Sequence, residues 1–191
     1  MYRLIKVLAF ILATLPVCMT VAAQDRGKRF DENRPRIYLS GFVDGQTFGG
    51  VTDSEFDTGV ASAALGYWIR RGIGIEAEIG TGLFDDSVGA LDLDVSSQLA
   101  LNLRLESPPI ERLAVYFLFG LVRNDFDLQL PGGSSSSSLS GFRAAVGFTG
   151  MINKRLDIDV GFTNQDFDDD LRTNSFRVGL RFGLGNRLIG K

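Results

Sequence analysis

Apolar and polar residues alternate with a period of two along most of this chain. The stretch LDLDVSSQLALNLRL, residues 91–105, places Leu or Val at every odd position except Ser97. Its even positions are Asp92, Asp94, Ser96, Gln98, Ala100, Asn102 and Arg104. A two-residue period is the mark of a β-strand whose faces meet different surroundings. Such segments recur at 37–47, 59–69, 73–83, 91–105, 114–123, 141–151, 156–163 and 175–184. Eight strands are therefore expected, many longer than the usual 5–6 residues of soluble sheets.

The rows are explicit. In SFRVGLRFGL, Phe176, Val178, Leu180, Phe182 and Leu184 oppose Ser175, Arg177, Gly179, Arg181 and Gly183. In RLDIDVGFT, Leu156, Ile158, Val160 and Phe162 oppose Arg155, Asp157, Asp159 and Gly161. IGIEAEIG sets Ile73, Ile75, Ala77 and Ile79 against Gly74, Glu76, Glu78 and Gly80. GFRAAVGF sets Phe142, Ala144, Val146 and Phe148 against Gly141, Arg143, Ala145 and Gly147. AVYFLFGLV is apolar on both faces and leaves its own register open.

Connections alternate between short and long, as an up-and-down meander requires. The short ones are 70–72, the Pro108-Pro109 turn and 153–154; the long ones are 49–57, 84–90, 124–139 and 164–174. Acidic residues crowd the long loops (Asp53, Glu55, Asp57, Asp85, Asp86, Asp125, Asp127, Asp166 and Asp168 to Asp170). The short turns and tail are mostly basic, with Arg70, Arg71, Arg112, Lys154, Arg187 and Lys191.

Three features decide which face is wet. Lysine, the usual solvent-facing guard of strands, is absent from all eight segments. The polar rows are rich in glycine, which weakens a strand but makes room where side chains crowd, as inside a narrow barrel. The same rows mix Glu76, Glu78, Asp157 and Asp159 with Arg104, Arg143, Arg177 and Arg181. Enclosed together these charges can pair, whereas an arginine facing lipid costs about 2–4 kcal/mol near the midplane. The charged rows are expected to face inward and the apolar rows outward. An outward apolar surface of that size requires a bilayer, and a bilayer requires closure. The fold class is thus all-β: a closed antiparallel up-and-down transmembrane barrel of eight strands. Tyr67, Trp68, Phe84 and Phe182 near strand ends suit interfacial girdles.

The N-terminus fits this destination. Arg3 and Lys6 precede an apolar run from Val7 to Val17, and Val21-Ala22-Ala23 offers small residues for cleavage before Gln24. This is the pattern of a secretory signal peptide; Pro16, Thr14 and Thr20 make the run poor as an uncleaved anchor. Cys18, the one cysteine, follows Val17 rather than a small residue, which argues against lipidation. The expected organisation is a signal peptide at 1–23, a polar lead at 24–35 and the barrel at 36–191. The net charge of −3 and the lack of a long basic run give no sign of nucleic-acid binding.

Taken together, the signal peptide, amphipathic strands, short turns, long acidic loops and charged lumen resemble the small eight-stranded outer-membrane β-barrels. That group includes the OmpA transmembrane domain, OmpX and the opacity proteins. The resemblance covers nearly the whole mature chain and rests on architecture rather than a motif. It implies residence in the outer membrane of Gram-negative bacteria, with both termini and short turns periplasmic and the long loops outside. It implies outer-membrane lipid and the assembly machinery as partners, and a monomer. Many members end on an aromatic residue read by that machinery, whereas here GNRLIGK follows Leu184. No periplasmic domain is expected after the barrel, so the peptidoglycan tether of full-length OmpA-like proteins is not expected to carry over.

Candidate chemistry is sparse. There is no histidine, which removes the commonest general base and metal ligand. Asp166, Asp168, Asp169 and Asp170 offer oxygens to calcium but lack the glycine and glutamate placement of an EF-hand; a solvated acidic loop is the simpler reading. PGGSSSSS, residues 131–138, reads as a flexible loop tip. No cofactor, metal site or catalytic group is expected. The expected function is non-enzymatic, structural or in surface interaction with an unidentified ligand through acidic extracellular loops; the alternative is a narrow porin-like channel for small solutes. The lumen network of Glu76, Glu78, Arg104, Arg143, Asp157, Asp159, Arg177 and Arg181 would be structural or line that pore. A soluble lipocalin-like binder is the third reading.

Overall fold

A computed structural model describes residues 35–49, 56–84, 86–88, 91–130, 133–167 and 171–184. The strands are β1 (Ile37–Gly49), β2 (Phe56–Arg70), β3 (Ile73–Phe84), β4 (Asp86–Val88), β5 (Leu91–Glu106), β6 (Leu113–Leu130), β7 (Gly133–Met151), β8 (Leu156–Phe167) and β9 (Arg172–Leu184). β4 is a three-residue strand on the outer end of β5; the other eight make the barrel. Every pairing is antiparallel between chain neighbours, and the sheet closes through β1–β9 and β3–β5.

The register fixes the barrel's shape. Phe48 pairs directly with Phe56 on β2. Followed the other way, through Thr173, Gln165, Arg143, Gly120, Asn102 and Glu76, the same row arrives at Gly66, ten residues further along β2. Eight strands with that stagger tilt by about 35–45°, so strands of 12 to 19 residues span the bilayer and extend beyond it.

Burial alternates as the two-residue period requires. β9 reads exposed, buried, exposed without a break from Arg172 to Leu184. The outward row carries Leu65, Ile79, Leu101, Leu121, Phe142 and Phe162, each more than half exposed. The inward row holds the charges. In β6 the open register resolves with Ala114, Tyr116, Leu118 and Val122 inside and Leu121 outside. A tight turn joins β2 to β3, where Gly72 adopts φ +71° and a side chain would strike the carbonyl oxygen of Glu106.

Four expectations need correction. The expected loop at 124–139 is an extension of the β6–β7 hairpin, with Asp125 opposite Ser138 and Asp127 opposite Ser136. Serine hydroxyls serve this ladder: the Ser138 hydroxyl donates to Asp125 and accepts from Arg123, so 134–138 is strand rather than a flexible tip. The 164–174 loop is likewise shortened by β8 and β9, which run to Phe167 and from Arg172. Val95 was expected to face outward, but a bulge between Val95 and Ser97 reverses the alternation and buries it. Trp68 lies on the inward row beside Tyr38, 5.2 Å between ring centroids, and so does not belong to a lipid-facing girdle. The signal peptide, Phe84's side chain and Asp168 to Asp170 fall outside the described residues.

Candidate functional site

All eight charged residues expected in the lumen are there, buried, and joined. The register adds two more, Asp44 and Glu106. Asp44 was obscured because its row, Tyr38, Ser40, Phe42, Asp44 and Gln46, mixes aromatic and polar residues; Glu106 continues the Asn102–Arg104 row up to the turn. Four arginines thus meet six carboxylates within the barrel. Taking even one pair of such charges from water costs several kcal/mol, recovered only with close geometry and satisfied hydrogen bonds.

Near the short-turn end, Arg104 sits 3.2 Å from Glu76, 3.1 Å from Glu106 and 3.0 Å from Asp159. It donates to the Thr149 hydroxyl at 2.8 Å, and Thr149 donates to Asp159 at 2.6 Å. Tyr38 donates its hydroxyl proton to Glu76 at 2.7 Å. Arg181 pairs with Glu106 at 2.9 Å and Asp157 at 3.0 Å. Arginine faces also meet rings, Arg104 over Tyr116 at 4.3 Å and Arg181 over Tyr38 at 5.4 Å. Here two arginines hold four carboxylates.

Midway along the lumen, Arg177 grips two carboxylates at once. It reaches Asp44 at 2.6 and 3.0 Å and Glu78 at 3.0 and 2.7 Å. The second arginine, Arg143, lies 3.0 Å from Glu78. Gln98 also donates to Glu78 at 3.0 Å, and Gln46 donates to Gln98 at 3.3 Å.

Glycines make this density feasible. A side chain at Gly147 or Gly161 would collide with Tyr116 and with the facing strand, and one at Gly179 with Phe42. The largest fully buried side chains are arginines and tyrosines, and the tyrosines lie over glycine, Tyr38 over Gly66 and Tyr116 over Gly147 and Gly161.

At the long-loop end the lining turns neutral, with Gln46, Thr58, Gln98, Asn124, Gln165 and Thr173. An apolar cluster interleaves with these: Val60, Ala100 and Val122 lie one step nearer the short turns than Thr58, Gln98 and Asn124, and Val95, Phe126, Phe167 and Leu171 lie nearer the long loops, with Leu139 packed on the cluster. Phe126 and Phe167 meet edge to face at 6.4 Å. A cavity of about 660 Å³ opens at the opposite end, lined by Arg36, Trp68, Arg70, Arg71 and Glu106 among others. Because Arg104 and Arg181 hold Glu106, the ion pairs stand between this cavity and the rest of the lumen.

This barrel fold finds its counterpart in known proteins. Over residues 10–182 the sequence matches the family described as the outer membrane protein beta-barrel domain. The chain belongs to that family. It is therefore a bacterial outer-membrane barrel. Comparison with curated protein sequences gives no match. Among solved structures, Neisserial surface protein A superposes with a TM-score of 0.63 at 12% identity, covering 78% of this chain and 97% of that one. The attachment invasion locus protein Ail of Yersinia pestis gives 0.57 at 13% identity, covering 78% and 99%. The N-terminal β-barrel domain of Pseudomonas aeruginosa OprF gives 0.52 at 10% identity, with the same coverage. At these identities the likeness is one of fold.

Proposed function

We propose that this outer-membrane barrel is non-enzymatic and works as a structural element and surface-interaction module, its acidic loops outside the cell and its lumen an internal brace. One observation carries the reading: the lumen is crossed by arginines tied to carboxylates on several strands. Arg177 on β9 binds β1 and β3, and Arg104 on β5 binds β3 and β8. Side chains that link opposite walls stiffen a barrel and obstruct passage through it. Exposed Asp125 and Asp127 on the long hairpin, together with the acidic residues of the other long loops, favour cationic partners. Ail has been solved in complex with the heparin analogue sucrose octasulfate; the acidic loops here disfavour a polyanion of that kind.

The test has two arms. Pure folded protein in planar bilayers is expected to give no channel events; steady unitary conductance would instead establish the narrow channel. Proteinase K applied to intact cells is expected to cut the long hairpin within 124–139 and spare the Arg70-Arg71 turn. Cutting at the short turns alone would invert the orientation and remove the surface role.

A further inference from the structure

We propose that the outer half of the lumen contains a site for one small monovalent inorganic anion, of chloride size, seated on Arg143. Arg143 is buried, and none of its three guanidinium nitrogens makes a hydrogen bond. Its neighbour Glu78 lies at 3.0 Å but out of hydrogen-bond alignment. Glu78 is also heavily engaged, accepting two bonds from Arg177 and one from Gln98. Asp44 is bound by Arg177 through both oxygens. Arg143 is thus ion-paired to a carboxylate that it shares with Arg177, while its own donors lack aligned acceptors, in a place where unmade hydrogen bonds are costly.

The wall beside it is made of donors. Gln165 and Thr173 lie on the same ladder row as Arg143 across β8 and β9, and Thr163 and Ser175 pair on the same two strands. All four are buried, and the Thr163, Thr173 and Ser175 hydroxyls and both Gln165 amide atoms lack partners. Buried polar groups in native proteins are nearly all satisfied, so a cluster of orphans points to a bound water or ion. Orphan hydroxyls alone would suit water. A guanidinium that shares its carboxylate, set among further donors, favours an anion, which accepts from all of them and donates to none. Phe126, Phe167 and Leu171 pack on the long-loop side of these groups, and the Arg177 ion pairs lie on the short-turn side.

The test uses the whole barrel, refolded and crystallised in detergent with sodium bromide. An anomalous bromide peak within hydrogen-bond distance of Arg143 and of at least one of Thr163, Gln165, Thr173 or Ser175 is expected. Unfolding midpoints in urea should rise with bromide or chloride relative to gluconate at equal ionic strength. That rise should vanish in Arg143→Met and shrink in Ser175→Ala. The alanine variant removes a single hydroxyl and remains informative if Arg143→Met fails to fold. Water density alone at Arg143, bromide only elsewhere, or the same halide dependence in the variants would overturn the proposal.

Discussion

Replacing Arg104 by methionine separates a braced lumen from a merely filled one. Methionine keeps much of the volume and removes the charge. The change strips Glu76, Glu106 and Asp159 of contacts at 3.0–3.2 Å and Tyr116 of its cation. Arg181 still serves Glu106, but Glu76 is left with the Tyr38 hydroxyl alone among the described residues. Removing one partner of a buried ion pair costs about 3–5 kcal/mol. At about 1.4 kcal/mol per factor of ten, that multiplies the unfolding constant by roughly two to nearly four powers of ten. The assay is urea unfolding in lipid vesicles, read as loss of the heat-modifiable folded band. The internal control is Arg123→Ala, which breaks an exposed pair with Asp125 and should cost under about 1 kcal/mol. Adding Glu76→Gln to Arg104→Met should recover part of the loss, because an uncompensated carboxylate is then neutral. If Arg104→Met costs no more than Arg123→Ala, the lumen pairs are not bracing the barrel and the argument fails.

Other expectations follow from the same geometry. Leu101→Arg, on the lipid face midway along β5, should destabilise the barrel in vesicles by about 2–4 kcal/mol; an unchanged unfolding curve would deny that this face meets hydrocarbon. Gly147→Ala and Gly161→Ala should each cost about 1–3 kcal/mol by overpacking against Tyr116, while Gly41→Ala, with open space around its Cβ, should be near neutral in the same titration. At the hairpin, a hydrogen bond from Ser138, with further ones from Ser97 and Arg123, holds the Asp125 carboxyl below the usual carboxylate range. The ionised form is the one favoured by folding, so its contribution is present at neutral pH and is lost as pH falls through the lowered pKa. Protection factors of the amides near residues 125–138, corrected for the intrinsic pH dependence of exchange, should therefore fall in acid, and Ser138→Ala should blunt that fall.

Most of the barrel was legible because the environment is binary: lipid on one side of each strand and a crowded polar lumen on the other. That contrast writes itself as alternation in β3, β8 and β9, whose polar rows carry most of the charges that the structure buries. It fails where a row is chemically mixed. Asp44 was lost among Tyr38, Ser40 and Phe42, which belong inside because Gly66 and Gly179 make room for the rings. It fails also where a bulge inserts a residue, since nothing in LDLDVSSQL announces that Val95 turns inward. Beyond the membrane the contrast disappears, because both faces meet water or the apolar cluster. There composition suggested a flexible serine loop, whereas continuous pairing with Asp125 to Gln129 keeps 134–138 extended. Trp68 shows the remaining limit: an aromatic near a strand end suits a girdle or a lumen equally, and only its place in the row decides.

The central claim is one alternation: from Gln98 to Leu103, past the bulge, odd positions of β5 face lipid and even positions face the lumen. It is tested most directly by spin labels at introduced cysteines from Gln98 to Leu103, placed one at a time in the barrel reconstituted in vesicles. Cys18, in the expected signal peptide, is the one native cysteine. Labels at 99, 101 and 103 should be accessible to oxygen dissolved in the bilayer, and those at 98, 100 and 102 shielded from it, in strict alternation. Uniform accessibility, or odd positions open to a water-soluble relaxation agent and closed to oxygen, would contradict the account.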